Sequence, residues 1–199
     1  LSAVFEVATI ISTHLNHSAI VVMKSTVPVG TTERVYDLIE EGLRQRGARV
    51  SVAIASNPEF LREGTGVQDF MNPDRILIGV KEEATLQALS ALYQPFNQDH
   101  NRIVPMKIRS AELTKYAANA LLATKISFIN EMSNMADLLG ADIEDVRLGI
   151  GSDKRIGYDF LKAGCGYGGS CFPKDMSALL AMAERHQFDA CLLRSVEQV

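Results

Sequence analysis

No apolar run in this 199-residue sequence approaches the roughly 18–20 residues that a membrane helix needs, so no membrane partner is expected. Cysteine is scarce: Cys165, Cys171 and Cys191 are an odd number with no Cys-x-x-Cys. A disulfide framework is thereby excluded, no zinc-like spacing of His and Cys exists, and no metal is expected. Free thiols fit a reducing, cytoplasmic setting, and no secretory signal argues otherwise. Positive charge is not in excess. Twenty basic against 24 acidic side chains leave a net charge of -4, which offers nucleic acid no electrostatic footing. Repeats and low-complexity segments are absent as well. What remains, 47% hydrophobic and 22% charged, is ordinary globular composition. The length suits one large domain or two small ones. The chain opens on Leu1 rather than Met, and neither its first nor its last helical stretch carries a cap, so a piece of a longer protein is expected.

The chain has two textures, with a boundary expected near residues 107–110. In the first half, residues 1–11 have helical spacing. Short β-branched runs at Ala19 to Val27, Val50 to Ala55, Arg75 to Val80 and Arg102 to Met106 read as strands. Helices are expected from Thr31 to Arg46, after Asn57-Pro58 as N-cap and first helical residue, and from Glu82 to Phe96. Strands separated by helices imply parallel crossovers and an α/β sheet. The second half is helical. Ser110 to Leu139 contains no proline or glycine, about 45 Å of helix at 1.5 Å per residue. Leu113, Tyr116, Ala117, Ala120, Leu121, Thr124, Phe128, Met132, Met135 and Leu139 form an apolar stripe, read as a core face or as a dimer-forming spine. Asp142 caps a further helix through Leu148.

Four stretches could carry chemistry. Gly164, Gly166 and Gly169 fit G-x-G-x-x-G, but a dinucleotide fingerprint needs a strand before it and a long helix directly after it. Tyr158 to Ala163 is a weak strand, and Pro173 follows four residues after the last glycine, so that reading is rejected. The glycines instead let backbone approach a ligand closely. Ser170 or Cys171 then precedes a helix with Pro173 in its first turn, and a thiol at the positive end of a helix dipole, beside Lys174, suits a nucleophile. Asp175 follows Cys171 by four residues. The second stretch is Asn57 to Gly64, with Glu59 and Glu63 spaced to share one helical face at the carboxyl end of a strand. Carboxylates there bind ligands or merely suit a helix dipole. The third is Lys115 and Asn119, four apart on the long helix, where a solvated lysine is the plainer reading. The fourth is Ser25 to Thr31, a strand end leading into a helix cap, the kind of loop that binds cofactors in α/β folds. His14, His17, His100 and His186 lack triad-like or metal-like spacing and are read as surface or packing residues.

Together, Ser25-Thr26-Val27-Pro28-Val29-Gly30, Asn57-Pro58-Glu59-Phe60-Leu61-Arg62-Glu63-Gly64, Ala111 to Asn119, and Gly166-Tyr167-Gly168-Gly169-Ser170-Cys171-Phe172-Pro173-Lys174-Asp175 resemble the nucleotide-sugar 6-dehydrogenases. The resemblance runs from Ser2 to Met182. It implies the C-terminal part of a Rossmann-like, NAD-binding parallel sheet over residues 1–108. An all-α central dimerisation domain with one long helix would follow over 109–199. It implies a homodimer through that helix and oxidation of a nucleotide sugar, UDP-glucose to UDP-glucuronate, with two NAD. GDP-mannose is the alternative substrate. On the resemblance, Cys171 is the nucleophile, Lys115 and Asn119 face the oxyanion, and Asp175 and Glu59 handle protons and water. Thr26, Glu63 and Lys174 would touch NAD. Glu59, Phe60, Leu61, Arg62 and Glu63 would line the sugar site with Lys115 and Asn119. Phe160, Leu161, Lys162, Ala163 and Gly164, with Gly168, would form a loop over the substrate, and Arg155 would reach it across a dimer. Cys165 departs from the family pattern, where a small apolar residue is expected. Two readings compete: an inactive dimerisation fragment of such an enzyme, and a relative of 6-phosphogluconate or 3-hydroxyacyl dehydrogenases that works without a cysteine nucleophile.

Overall fold

A computed structural model describes residues 1–97 and 101–199. His100 therefore lies outside the described residues, while His14, His17 and His186 are exposed. The chain divides into two compact units, 1–115 and 116–199. The long helix begins in the first unit and continues through the second.

The first unit is a four-stranded sheet with helices. Its strands are β1 (Ala19–Met23), β2 (Val52–Ser56), β3 (Ile76–Val80) and β4 (Ile103–Met106), in that spatial order. Each falls where β-branched residues cluster. β1 pairs with β2, and β3 with β4, in parallel, as the alternation with α1 (Ser2–His14), α2 (Thr31–Gln45) and α4 (Glu83–Tyr93) leads one to expect. The β2–β3 pair is antiparallel, contrary to the expectation of parallel crossovers throughout. The reason lies in the connection. Residues 57–75 contain only the short helix α3 (Gly66–Met71), so no full crossover helix carries the chain back to the starting edge. Two apolar clusters fill this unit. Ile39, Leu43, Ile54 and Ile108 lead one; Ala55, Ile76, Ile78 and Leu89 lead the other.

α5 runs from Ile108 to Leu139 as one helix. Its apolar stripe is buried only in part: Tyr116 and Ala120 are buried, and Thr124 and Met132 are half-buried. Leu113, Leu121, Phe128, Met135 and Leu139 are exposed, Leu121 by 63% and Leu139 by 74%. The buried positions combine large apolar side chains, Ile108, Tyr116 and Ile129, with small and polar ones: Ala111, Glu112, Lys115, Asn119, Ala120, Ala123, Ser127, Asn130 and Ala136. Small side chains permit close approach, and each buried polar group then needs a partner. In the second unit, α6 (Ile143–Gly151) is capped by Asp142, whose carboxylate accepts the Glu144 N–H at 2.7 Å, as its sequence suggests. α7 (Phe172–Arg185) and α8 (Cys191–Gln198) complete it, with Ala120, Ala123, Met176 and Val196 at the core. Among the described residues, no helix is long and apolar enough to cross a membrane. None of them forms a group of three His, Cys, Asp or Glu side chains that could hold a metal.

Candidate active site

In the first unit the polar groups gather at the carboxyl ends of β1 and β2. Asn57 follows β2 directly but caps no helix. Only 2% exposed, it is consumed by the core. Its side-chain N–H donates to the Leu77 carbonyl at 2.7 Å. Its Oδ1 accepts from Lys24 Nζ at 3.1 Å and from the Tyr93 hydroxyl. Its backbone N–H donates to Met23 at 2.9 Å. With the Asn57 side chain engaged inside, nothing is left to cap a helix at Pro58, and residues 57–62 run without regular structure. Gly64 then turns with φ 87° before α3 begins. Glu59 and Glu63 therefore do not share a helical face, which corrects the spacing argument.

Glu59 is instead aimed by a local bond and an ion pair. Its Oε2 accepts the Leu61 N–H at 2.6 Å, and its Oε1 lies 3.5 Å from Lys115 Nζ. Lys115 is 5% exposed, so the plain expectation of a solvated lysine is overturned. A buried ammonium is costly unless paired. Glu59 provides the charge, and the Phe60 ring face lies 5.1 Å from Nζ. Arg75 stacks on the same ring at 4.0 Å. Leu61, Arg62 and Glu63 are exposed. Arg62 clasps Asp69 through its backbone N–H at 2.9 Å and its guanidinium at 2.6 and 3.0 Å, with Thr65 Oγ1 at 3.0 Å. The Arg62 guanidinium, then its N–H and the Thr65 hydroxyl, hold the Asp69 carboxyl far below the usual carboxylate range.

Ser25 and Thr26 stand just past β1, Ser25 exposed and Thr26 half-buried. Lys24 beside them is pushed down from the ordinary lysine range by crowding of surrounding protein, opposed by the nearby Glu59 charge. The N-terminus of α2 is already filled. Glu112 of α5 accepts the Gly30 N–H at 2.6 Å and the Thr32 N–H at 2.8 Å. A carboxylate there repels phosphate, so this loop fits an uncharged polar part of a dinucleotide rather than its pyrophosphate.

The second unit holds the thiol. Cys171 is the N-cap of α7, with Pro173 in the first turn, as expected; its side chain is exposed and 3.7 Å from Ser170 Oγ. Asp175, one turn on, is 2% exposed. It accepts from Asn119 Nδ2 at 2.6 Å and from Lys174 Nζ at 2.5 Å. Lys174 thus serves Asp175 in this structure. Gly164 starts the glycine run and is tied to α5 through Asn130, whose Oδ1 accepts its N–H at 2.8 Å. Phe160, at φ 61°, stacks edge-on against Phe172 with centroids 6.2 Å apart, and Tyr167 does the same from another side. Leu161 is a core residue, half-buried Ala163 lies between exposed Lys162 and Gly164, and Gly168 is exposed. Arg155 is exposed and paired with Asp153 through Nη2 at 2.5 Å.

Lys24, Tyr93, Arg75, Glu112 and Asn130 escaped the reading of the sequence. Glu112 and Asn130 are polar residues of α5 whose burial, which a helix tolerates only when their partners are fixed, is settled by the tertiary structure.

Residues 1–97 match the NAD binding domain model, and residues 109–199 the central domain model, of one family, the UDP-glucose/GDP-mannose dehydrogenase family. The chain is 56% identical over 197 residues to a UDP-glucose 6-dehydrogenase of Pseudomonas aeruginosa, covering 99% of this chain and 44% of that protein. It is 51% identical to one of Bacillus subtilis, covering all of this chain and again 44% of the relative. Among solved structures, a UDP-glucose dehydrogenase from the hyperthermophilic archaeon Pyrobaculum islandicum superposes with a TM-score of 0.86 at 41% identity, over 99% of this chain and 44% of that one. The chain thus spans less than half the length of the relatives it matches. With two of its domain models matched in order and close kin at this level of identity, the chain belongs to the UDP-glucose/GDP-mannose dehydrogenase family.

Proposed function

We propose that the protein carrying this chain is an NAD-dependent UDP-glucose 6-dehydrogenase that makes UDP-glucuronate through a covalent cysteine. The observation that carries the reading is the exposed Cys171 thiol at the N-cap of α7. NAD, when bound, accepts the hydride of each oxidation. The first oxidation turns the C6 alcohol into an aldehyde. The Cys171 sulfur adds to that carbon as a proton reaches the oxygen, giving a thiohemiacetal. A second oxidation leaves a thioester. Water then breaks the C–S bond, releasing the carboxylate and restoring the thiol. Lys115 and Asn119 donate to the oxygen where negative charge develops. Glu59 and Asp175 take up and return protons. Thr26, Glu63 and Lys174 contact NAD, the first through its hydroxyl. Residues 59–63, Arg155, residues 160–164 and Gly168 bound the sugar. The exposed α5 residues Leu121, Phe128, Met135 and Leu139 form the dimer interface, since an apolar row of this length gains by being covered. The three free thiols suit a reducing, cytoplasmic setting.

The test is the NADH released per nucleotide sugar by the full-length protein. Two NADH per UDP-glucose and little from GDP-mannose are expected, and Cys171→Ala should lower acid formation by several orders of magnitude. Two per GDP-mannose would move the substrate and keep the mechanism. One per sugar, or normal acid formation by Cys171→Ala, would refute the covalent route.

A further inference from the structure

α2 has no cap of its own. Gly30, its N-cap residue, lies at φ 91° and carries no side chain to receive the first N–H groups of the helix. A serine or aspartate would ordinarily do this locally. Here the acceptor comes from about eighty positions away, from Glu112, which is 3% exposed and takes both Gly30 N–H and Thr32 N–H. A local cap would have satisfied those donors equally well without tying α2 to α5.

The choice of anchor matters because of what stands one turn on. Lys115 follows Glu112 by three residues, about 4.5 Å along the axis and on the same side of the helix. Other contacts fix the same turn. Ile108 is buried, Ala111 lies tight against Gly79 of β3, and Arg109 bridges to Glu33 of α2 at 2.8 Å. The Arg109 bridge is exposed and worth little. Glu112 itself is buried and its two bonds are directional, so they set rotation and register where apolar contact alone permits sliding. Lys115 keeps its 3.5 Å contact with Glu59 only if that register holds.

We propose that Glu112 is a positioning residue: by capping α2 from α5 it fixes the first turn of α5 and so holds Lys115 against Glu59. The catalytic consequence depends on the role proposed above for Lys115; the positioning itself does not.

The experiment uses the full-length protein with Glu112→Gln, which keeps the shape but offers one oxygen where two are used. Glu112→Asp, which keeps the charge on a shorter arm, and Arg109→Met serve beside it. Two readouts are taken on variants that melt cooperatively. One is the rate at which N-hydroxysuccinimidyl acetate acylates Lys115, followed by mass spectrometry against exposed Lys154. The other is kcat and KM for NAD and for UDP-glucose. Glu112→Gln should acylate Lys115 several-fold faster and lose up to about 100-fold in kcat with little change in KM for NAD, the scale of loss expected from a 1 Å misplacement. Glu112→Asp should recover part of both, and Arg109→Met should behave as the parent. If Glu112→Gln does not fold, the Glu112→Asp acylation rate alone decides. A folded variant with parental Lys115 labelling overturns the proposal. A parent that oxidises no nucleotide sugar overturns the proposed function and leaves the labelling result to judge Glu112.

Discussion

Replacing Gly79 by alanine should loosen the joint between β3 and α5. Gly79 pairs with Ser56 and with Met106 in the sheet, and α5 crosses directly over it. A Cβ at this position would stand 2.7 Å from Ala111 Cβ, 3.0 Å from Ile108 Cα and 3.3 Å from the Lys107 carbonyl oxygen. Carbon atoms rest at about 3.5–4.0 Å, so α5 must lift by roughly 1 Å. None of the three neighbours is the free end of a flexible side chain, so no rotamer change relieves the clash. Overpacking of this kind costs about 1–3 kcal/mol. Alanine also restricts the unfolded chain, a gain of about 0.4–1 kcal/mol, which is too small to reverse the sign. The net loss of roughly 1–2 kcal/mol should lower the urea midpoint of the first unit by about 0.5–1 M with an unchanged slope. Far-UV circular dichroism follows the transition, and a thermal midpoint lower by about 2–8 °C should accompany it. An unchanged or raised urea midpoint would refute the packing argument and mean that α5 has room to move.

Two further outcomes follow from buried or clasped carboxylates. Asn119→Ala removes the 2.6 Å donor to Asp175, which is nearly sealed from water and keeps only Lys174. A destabilisation of about 1.5–3 kcal/mol is expected in denaturant unfolding, and a neutral result would mean that water replaces the amide freely. For Asp69 the sign is set by its lowered folded value. Its contribution to stability is complete above the unfolded midpoint near 3.9, is lost progressively as pH falls below that midpoint, and is gone once pH has passed through the lower folded one. Carbon-13 NMR should find the Asp69 carboxylate ionised well below pH 3.9, and Arg62→Gln should raise its midpoint toward the ordinary range. A parental midpoint near 3.9 would show that the clasp does not form in solution.

Local signals were strong enough to place most elements. β-branched runs marked all four strands, Asp142 and Pro173 marked helix starts, and the unbroken stretch to Leu139 marked the long helix. The same signals misled where a residue had two uses. Asn57-Pro58 has the form of a helix start, yet the Asn57 amide is worth more inside, where Leu77, Lys24 and Tyr93 all bind it. Four-residue spacing suggested that Glu59 and Glu63 act together, but spacing has meaning only on a helix that forms.

The sequence by itself determined the chemical inventory: a thiol before a proline-started helix, carboxylates after strands, an amide and an amine on one long helix, and the motifs that mark the family. Tertiary structure alone decided which face of α5 is covered, how the β2–β3 pair runs, and which partners Lys115, Asp175 and the α2 N-terminus receive. The physical reason is the range of the forces. Propensity, capping and periodicity act within a few residues and are written in neighbours. The cost of burying an ammonium, a carboxylate or an N–H is felt only once distant segments have closed around it, and the partner that offsets that cost comes from wherever the fold brings one.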